Sequence, residues 1–327
     1  MSLLSISNID TAHLTLKPFI TQTPLVTNEA FNSLVNAKVY FKLENLQKTG
    51  SFKIRGATYK ISLLSKEQKQ KGIVTYSSGN HAQAVALASS NYGIETIVVM
   101  PDNAPKVKIK NTKSYGADIV LYNPKTESRE VIGNKIASET DKTLIKPYDD
   151  IDIITGQGTV GKEITEQLKK ISAIPDIYLC CVSGGGLIAG SSFYLKSNFP
   201  QIENYSVEPE NFNDTRLSLK QNYIVSNKNN KSSICDALLV TQPGEITFKI
   251  NQTTLEAGLD VSDQEVKKTI KILAETLKVK VEPGGAVAAA ALLSQKIDVK
   301  NKTVVVMISG GNIDQDLFSQ IVTENYE

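Results

Sequence analysis

Hydrophobic and polar positions along this chain alternate between two kinds of segment. Short runs that are largely apolar and rich in β-branched residues occur at 39–43, 72–76, 96–100, 118–121, 177–182 and 303–309. Such runs read as buried strands. Between them, apolar residues recur at helical spacing over 81–90, 106–115, 127–139, 160–170 and 264–277. This alternation predicts an α/β fold of open, twisted, mostly parallel sheets covered by helices. The run 303–309 (TVVVMIS) is the most apolar and is predicted to sit centrally in its sheet.

Length and composition narrow the architecture and the classes of function. The chain has 327 residues, enough for two cores, because domains cluster at roughly 100–200 residues. No repeat, low-complexity tract or clean linker divides it, so the two domains are expected to interleave. Lys and Arg number 36 against 34 Asp and Glu, a net charge of +2. That balance supplies no field for nucleic acid or an anionic membrane. Arg55, Arg129 and Arg216 are the only arginines, too few for a surface that reads base edges. The longest apolar run, 286–293, falls far short of the ~20 residues that span a bilayer. The N-terminus lacks the basic segment and apolar stretch of a secretory signal. Three cysteines without a CxxC pair, and two histidines, argue against a disulfide scaffold and a Cys/His zinc site. A cytoplasmic protein is expected.

Three small-residue turns follow predicted strands: Ser78-Gly79-Asn80-His81, the 183–186 turn, and Ser309-Gly310-Gly311-Asn312. Strand carboxyl ends in parallel sheets share an edge where ligands bind, so these turns are expected at a site. The second, SGGGLIAG (183–190), also opens a helix. Its glycines and outward N–H groups suit a phosphate, and a tight strand-to-helix turn packed for steric reasons fits the same residues. The stretch GQGTVGK (156–162) nearly matches a Walker A loop, but Glu163 stands where a hydroxyl would meet Mg²⁺. A carboxylate there repels a triphosphate, so the stretch is expected to be a capped helix start.

Lys53 is distinguished from the other lysines by its setting, between Phe52 and Ile54 and beside Gly50 and Gly56. An apolar pocket depresses an ammonium pKa, and a neutral amine forms a Schiff base with an aldehyde. A buried lysine and a phosphate-cradling turn are the two anchors that pyridoxal phosphate requires.

The motifs KTGSFKIRGA (48–57), SSGNHAQAVA (77–86), TGQGT (155–159), SGGGLIAG (183–190), VEPGGAVAAAA (281–291) and SGGN (309–312) appear in this order over nearly the whole chain. In them the sequence resembles the fold type II pyridoxal-phosphate enzymes, and among these the serine/threonine dehydratase and serine racemase group. The resemblance implies Lys53 as the Schiff-base lysine, with Phe52 packed beside the cofactor and Asn80 bonded to its 3-hydroxyl. It implies Ser183, Gly184, Gly185, Gly186 and Leu187 as the phosphate cradle. Ser309 is implied as partner of the pyridine nitrogen, a neutral group that favours elimination or proton transfer over transamination. The turn Ser78, Gly79, Asn80, His81 is implied to grip the substrate carboxylate, with His81 orienting the turn.

Two reactions follow from the resemblance. A dehydratase would convert L-threonine or L-serine to 2-oxobutanoate or pyruvate and ammonia, with Lys53 as base. A serine racemase would add Ser78 as a second acid on the opposite face. The dehydratase is favoured by TQPGEITF (241–248), while Ala237 departs from the Gly that follows Asp in many relatives. A non-catalytic binding protein on the same fold is opposed by intact Lys53, Asn80 and Ser309. The resemblance also implies Mg²⁺ or Ca²⁺ at Glu208, the Phe212 carbonyl and Asp214, oxygen ligands that suit hard cations, with Asn213 where racemases often carry an acid. It implies a homodimer, and a small closing domain at 74–148 that interrupts a large domain of 1–73 and 149–327.

Overall fold

Ten strands occur among the residues that the computed structural model describes, 4–227 and 232–326. In chain order they are β1 (Leu25–Val26), β2 (Lys38–Leu43), β3 (Ile73–Tyr76), β4 (Thr96–Pro101), β5 (Asp118–Tyr122), β6 (Thr143–Ile145), β7 (Ile177–Cys181), β8 (Glu203–Pro209), β9 (Ala257–Val261) and β10 (Thr303–Ile308). Six form one sheet in the order β1-β2-β10-β7-β8-β9, parallel except at the two-residue edge strand β1. The other four form an all-parallel sheet, β5-β4-β3-β6. All of the smaller sheet comes from the segment between β2 and β7, so the strands of the two sheets interleave along the chain. All six predicted strands form. The four missed ones, β1, β6, β8 and β9, are short or lie towards an edge, where partial exposure admits polar residues.

The most apolar run, β10, lies between β2 and β7, and its residues Val304, Val305, Val306, Met307 and Ile308 are buried. Burying each such side chain contributes about 1.5–3 kcal/mol. The helix Pro283–Leu293 packs beside this sheet and is apolar on all sides, with Pro in its first turn and almost every residue buried.

The stretch 156–162 corrects the sequence reading. It is not a helix start but the interior of the 20-residue helix Ile151–Lys170. That helix begins at Asp150, whose carboxylate accepts the N–H groups of Asp152 (2.9 Å) and Ile153 (3.2 Å). Its glycines permit close approach of backbones. A Cβ on Gly156 would lie 2.7 Å from the Cα of Gly56, and one on Gly190 would lie 2.6 Å from the Gly158 nitrogen. The helices Lys53–Ser62, Ile151–Lys170 and Gly186–Asn198 therefore pack backbone against backbone.

Glu163, the residue that spoils the Walker pattern, is buried in this helix. It accepts from Arg55 Nη1 (2.8 Å), Arg55 Nη2 (2.9 Å) and Lys42 Nζ (2.7 Å). Arg55 also grips Glu44 through Nε and Nη2, each at 2.8 Å. The four charges balance, and they tie β2 and the start of the Lys53 helix to the long helix behind it.

Candidate functional site

Strand ends β2, β3, β7 and β10 deliver their following turns to one cleft between the two sheets. After β2, a 3₁₀ turn (Glu44–Leu46) leads to Lys53, the first residue of its helix. Two links hold this segment against the end of β10. The Phe52 N–H donates to the Ser309 carbonyl at 3.1 Å, and Ser51 bridges Gly310. Segments far apart in the chain, 51–52 and 309–310, are thereby fixed side by side.

Lys53, Phe52, Ser78, Asn80, His81, Ser183, Gly184, Gly185, Gly186, Leu187 and Ser309 all line the cleft. Gly79 lies beneath it, where a Cβ would collide with the Lys108 side chain. The Lys53 Nζ donates to the Pro147 carbonyl at 2.8 Å. Burial pulls its amine down to about 8, so about a tenth of it is neutral at pH 7. His81 is buried and pushed down to about 3, chiefly by burial and then by the charge of Lys53. Its imidazole is neutral, with Nε2 3.4 Å from the Ile145 carbonyl and Nδ1 unpartnered. That state suits an orienting group better than a proton carrier. The Asn80 amide is held at both ends, donating to Glu282 Oε1 (2.6 Å) and accepting from Asn312 Nδ2 (2.9 Å).

Opposite Lys53, the helix Gly186–Asn198 starts inside the cleft without a side-chain cap. Gly185 supplies the positive φ of +95° that turns the chain into it. The Tyr148 ring lies where a Gly184 side chain would be, and Thr247 Oγ1 donates to the Gly184 carbonyl at 2.7 Å. Orphan N–H groups at such a terminus favour an anion. Ser309 lies beside Cys181, whose thiol is lowered by Cys180 first and by the Ser309 hydroxyl as well, against burial.

Several cleft residues escaped the sequence reading. Lys108, on the helix Lys106–Ser114, is buried and bridges Asp236 (2.6 Å) and Glu282 (3.2 Å). Burial would lower this ammonium, yet the two carboxylates outweigh burial and hold it raised. Nothing in the lysine-rich run KVKIKNTK separates Lys108 from its solvated neighbours. Arg129 lines the cleft too, and the scarcity of arginine was the one available signal.

Of the suggested metal residues, Glu208 and Asp214 lie near each other, away from the cleft. Glu208 ends near the start of the helix Asp214–Gln221, where its two oxygens accept from the Thr215 and Arg216 N–H groups at 2.8 Å each. Burial raises Glu208 well above the usual carboxylate range, helped by Asp214, and burial raises Asp214 to about 7. Asp214 Oδ2 has no partner. Phe212 is buried in the preceding 3₁₀ turn, and Asn213 is turned to Asp260 at 2.7 Å. Among the described residues, no group of three or more His, Cys, Asp and Glu side chains forms a metal cluster. No described helix is long and apolar enough to cross a membrane.

A low-pKa lysine facing an uncapped helix terminus, at the carboxyl ends of parallel strands, defines an enzyme built for a phosphorylated aldehyde cofactor. The chain belongs to the pyridoxal-phosphate dependent enzyme family, whose model matches residues 16–310. It is 39% identical over 308 residues to the L-threo-3-hydroxyaspartate ammonia-lyase of Saccharomyces cerevisiae, covering 94% of this chain and 93% of that protein. It is 37% identical over 322 residues to the L-threonine ammonia-lyase of Thermotoga maritima, covering 98% and 79%. Its fold matches that of maize serine racemase with a TM-score of 0.91 at 35% identity, covering 97% and 96%. The residues present fit the cofactor: the amine, the uncapped N-terminus and the unpartnered His81 Nδ1 all face or adjoin one cleft.

Proposed function

We propose that this enzyme is an ammonia-lyase that eliminates the β-hydroxyl of L-threonine or L-serine, giving 2-oxobutanoate or pyruvate and ammonia. The observation that carries the reading is the buried Lys53 amine, which lines one cleft with the uncapped start of the helix Gly186–Asn198. Pyridoxal phosphate, when bound, supplies an aldehyde for the substrate amine and a ring that withdraws electrons from Cα. The phosphate would sit on Ser183, Gly184, Gly185, Gly186 and Leu187, with Phe52 and Asn80 beside the ring. Ser309 would meet the ring nitrogen with a neutral hydroxyl.

Lys53 would take the Cα proton, a task its pKa suits near neutral pH. The 78–81 turn would receive the substrate carboxylate on backbone N–H groups, with neutral His81 steadying it. Closure of segment 74–148 over the larger domain (1–73 and 149–327) would exclude water, and the Lys108 bridge to Asp236 and Glu282 would hold it shut. We take Glu208, the Phe212 carbonyl and Asp214 as a Mg²⁺ or Ca²⁺ site, supported by the unpartnered Asp214 Oδ2. A homodimer in the cytoplasm completes the reading.

Racemisation is a second reading, favoured by Ser78. Its hydroxyl makes no hydrogen bond within the described protein and borders the cleft, which suits a group awaiting a proton. Proton NMR of the holoenzyme with L-serine or L-threonine in D₂O, with a chiral assay, separates the two. Keto acid without D-amino acid supports the lyase. α-Deuterated D-serine outpacing keto acid supports the racemase, and Ser78→Ala should then stop racemisation while sparing elimination.

A further inference from the structure

We propose that Asn251 is a positioning residue for the cofactor's phosphate: from behind Gly185 it turns the N–H end of its amide towards the 183–187 turn and strengthens that turn's hold on an anion. The proposal concerns cofactor binding and stands whether the enzyme eliminates or racemises.

The helix Glu245–Thr254 buries Thr247, Phe248, Ile250, Asn251 and Thr254. Thr247, Asn251 and Thr254 fall at positions i, i+4 and i+7, so they form one polar stripe. Both ends of the stripe are bonded to the helix Gly186–Asn198 or to the turn that opens it. Thr247 Oγ1 donates to the Gly184 carbonyl at 2.7 Å, and Thr254 Oγ1 accepts from Ser192 Oγ at 2.8 Å. Asp149 fixes the start of the stripe, accepting the N–H groups of Ile246 (2.9 Å) and Thr247 (3.3 Å).

Asn251, in the middle, is fully buried, yet neither Oδ1 nor Nδ2 has a hydrogen-bond partner within the described protein. Packing alone would be served better by an apolar side chain, because two dry, unpaired polar atoms cost stability. The neighbour of the amide is the turn itself. A Cβ on Gly185 would lie 2.8 Å from Thr247 Oγ1 and 3.0 Å from Asn251 Nδ2. Two polar atoms thus close in behind the one residue whose φ of +95° leads the chain into the uncapped helix. Asn251 does not line the cleft, so it acts through the turn rather than on the ligand. In a setting without water, an amide dipole with its N–H end forward favours an anion on the far side of that turn.

The test compares the native apo-protein with its Asn251→Leu and Asn251→Asp variants. Affinities for pyridoxal phosphate, phosphate-free pyridoxal and inorganic phosphate are measured by calorimetry, with apo-protein Tm alongside. Asn251→Leu keeps a branched side chain and removes the amide. It should weaken pyridoxal phosphate and inorganic phosphate by about tenfold each, the worth of roughly one hydrogen bond. Pyridoxal affinity should hold, and apo-protein Tm should stay level or rise. Asn251→Asp preserves the shape and sets a carboxylate behind the anion. Its phosphate-bearing probes should bind more weakly than in Asn251→Leu at pH 8. Relative to the native protein, that deficit should shrink towards pH 6 as the buried carboxylate takes up a proton.

Selectivity between probes with and without phosphate decides the matter. Equal losses for pyridoxal and pyridoxal phosphate would make Asn251 a packing residue and overturn the proposal, as would phosphate affinities that neither substitution changes. If Asn251→Leu does not fold, the isosteric Asn251→Asp decides alone: a phosphate-selective loss upholds the role, and its absence refutes it.

Discussion

Replacing Glu163 with Gln should destabilise the protein severely while leaving its shape almost unchanged. The carboxylate is one of four buried charges, with Glu44 opposing Lys42 and Arg55, and all four side chains are at most 1% exposed. The amide keeps the volume but leaves one positive charge unmatched. Breaking a buried pair in this way costs about 3–5 kcal/mol. An unfolding entropy of about 2.1 cal/mol/K per residue over 327 residues converts this to a fall in Tm of about 4–7 °C. Scanning calorimetry at pH 7, with cofactor content matched, measures it. Adding Lys42→Met restores the charge balance and should recover more than half of the loss. The pH dependence has a definite sign. Burial pushes Glu163 up, but Arg55 and Lys42 outweigh it and hold the group lowered. Its stabilisation is therefore present above the unfolded carboxylate value of about 4.3 and is lost as pH falls through the lower folded value. The gap between native and variant should close in acid. A variant that melts within about 1 °C of the native protein at pH 7 would refute the reasoning, since it would mean the cluster is hydrated rather than dry.

Other consequences can be measured independently. Lys53→Ala should abolish both keto-acid formation and α-proton exchange in D₂O; exchange that persists would remove Lys53 from the mechanism. Capture of pyridoxal phosphate by the apo-protein should slow about tenfold per pH unit below a Lys53 pKa of about 8, and a flat profile from pH 6 to 9 would show that the amine is not depressed. Gly184→Ala drives a Cβ into the Tyr148 ring, so cofactor affinity by spectral titration should fall by at least about tenfold, as misplacing a phosphate's hydrogen-bond donors predicts. Unchanged affinity would place the phosphate elsewhere. Millimolar Mg²⁺ or Ca²⁺ should raise Tm and a chelator should reverse it, with Asp214→Asn abolishing the response; the same rise in Asp214→Asn would exclude the Glu208 site.

Much of the fold was legible because its central strands are largely buried and carry few polar positions to blur them. β10 is the clearest example. The edge strand β9, AGLDV, reads as a turn until β8 is in place beside it. Local motifs identified the turns, because glycine at 184, 185 and 310 is demanded by neighbours that a Cβ would strike. The same residue type misled at 156–162, where glycine serves helix-to-helix contact rather than a loop. Periodicity could not tell these uses apart, since the atoms that require them, Gly56 and Gly190, lie in other helices. Lys108 was invisible for a related reason: it is an ordinary charged residue whose meaning comes from Asp236 and Glu282, each more than 100 residues distant.

The placement of β10 bears on how the protein is made. β2, which leads directly to Lys53, pairs along its length with a strand that leaves the ribosome about 260 residues later. At about 5–20 residues per second this is a wait of roughly 13–50 s. During that interval the smaller sheet, 73–145, already has all of its strands, while β2 has only the two-residue β1 beside it. The lysine's own support is thus among the last parts of the molecule to assemble. Newly made chains should be most vulnerable to aggregation, and least able to hold cofactor, until β10 emerges.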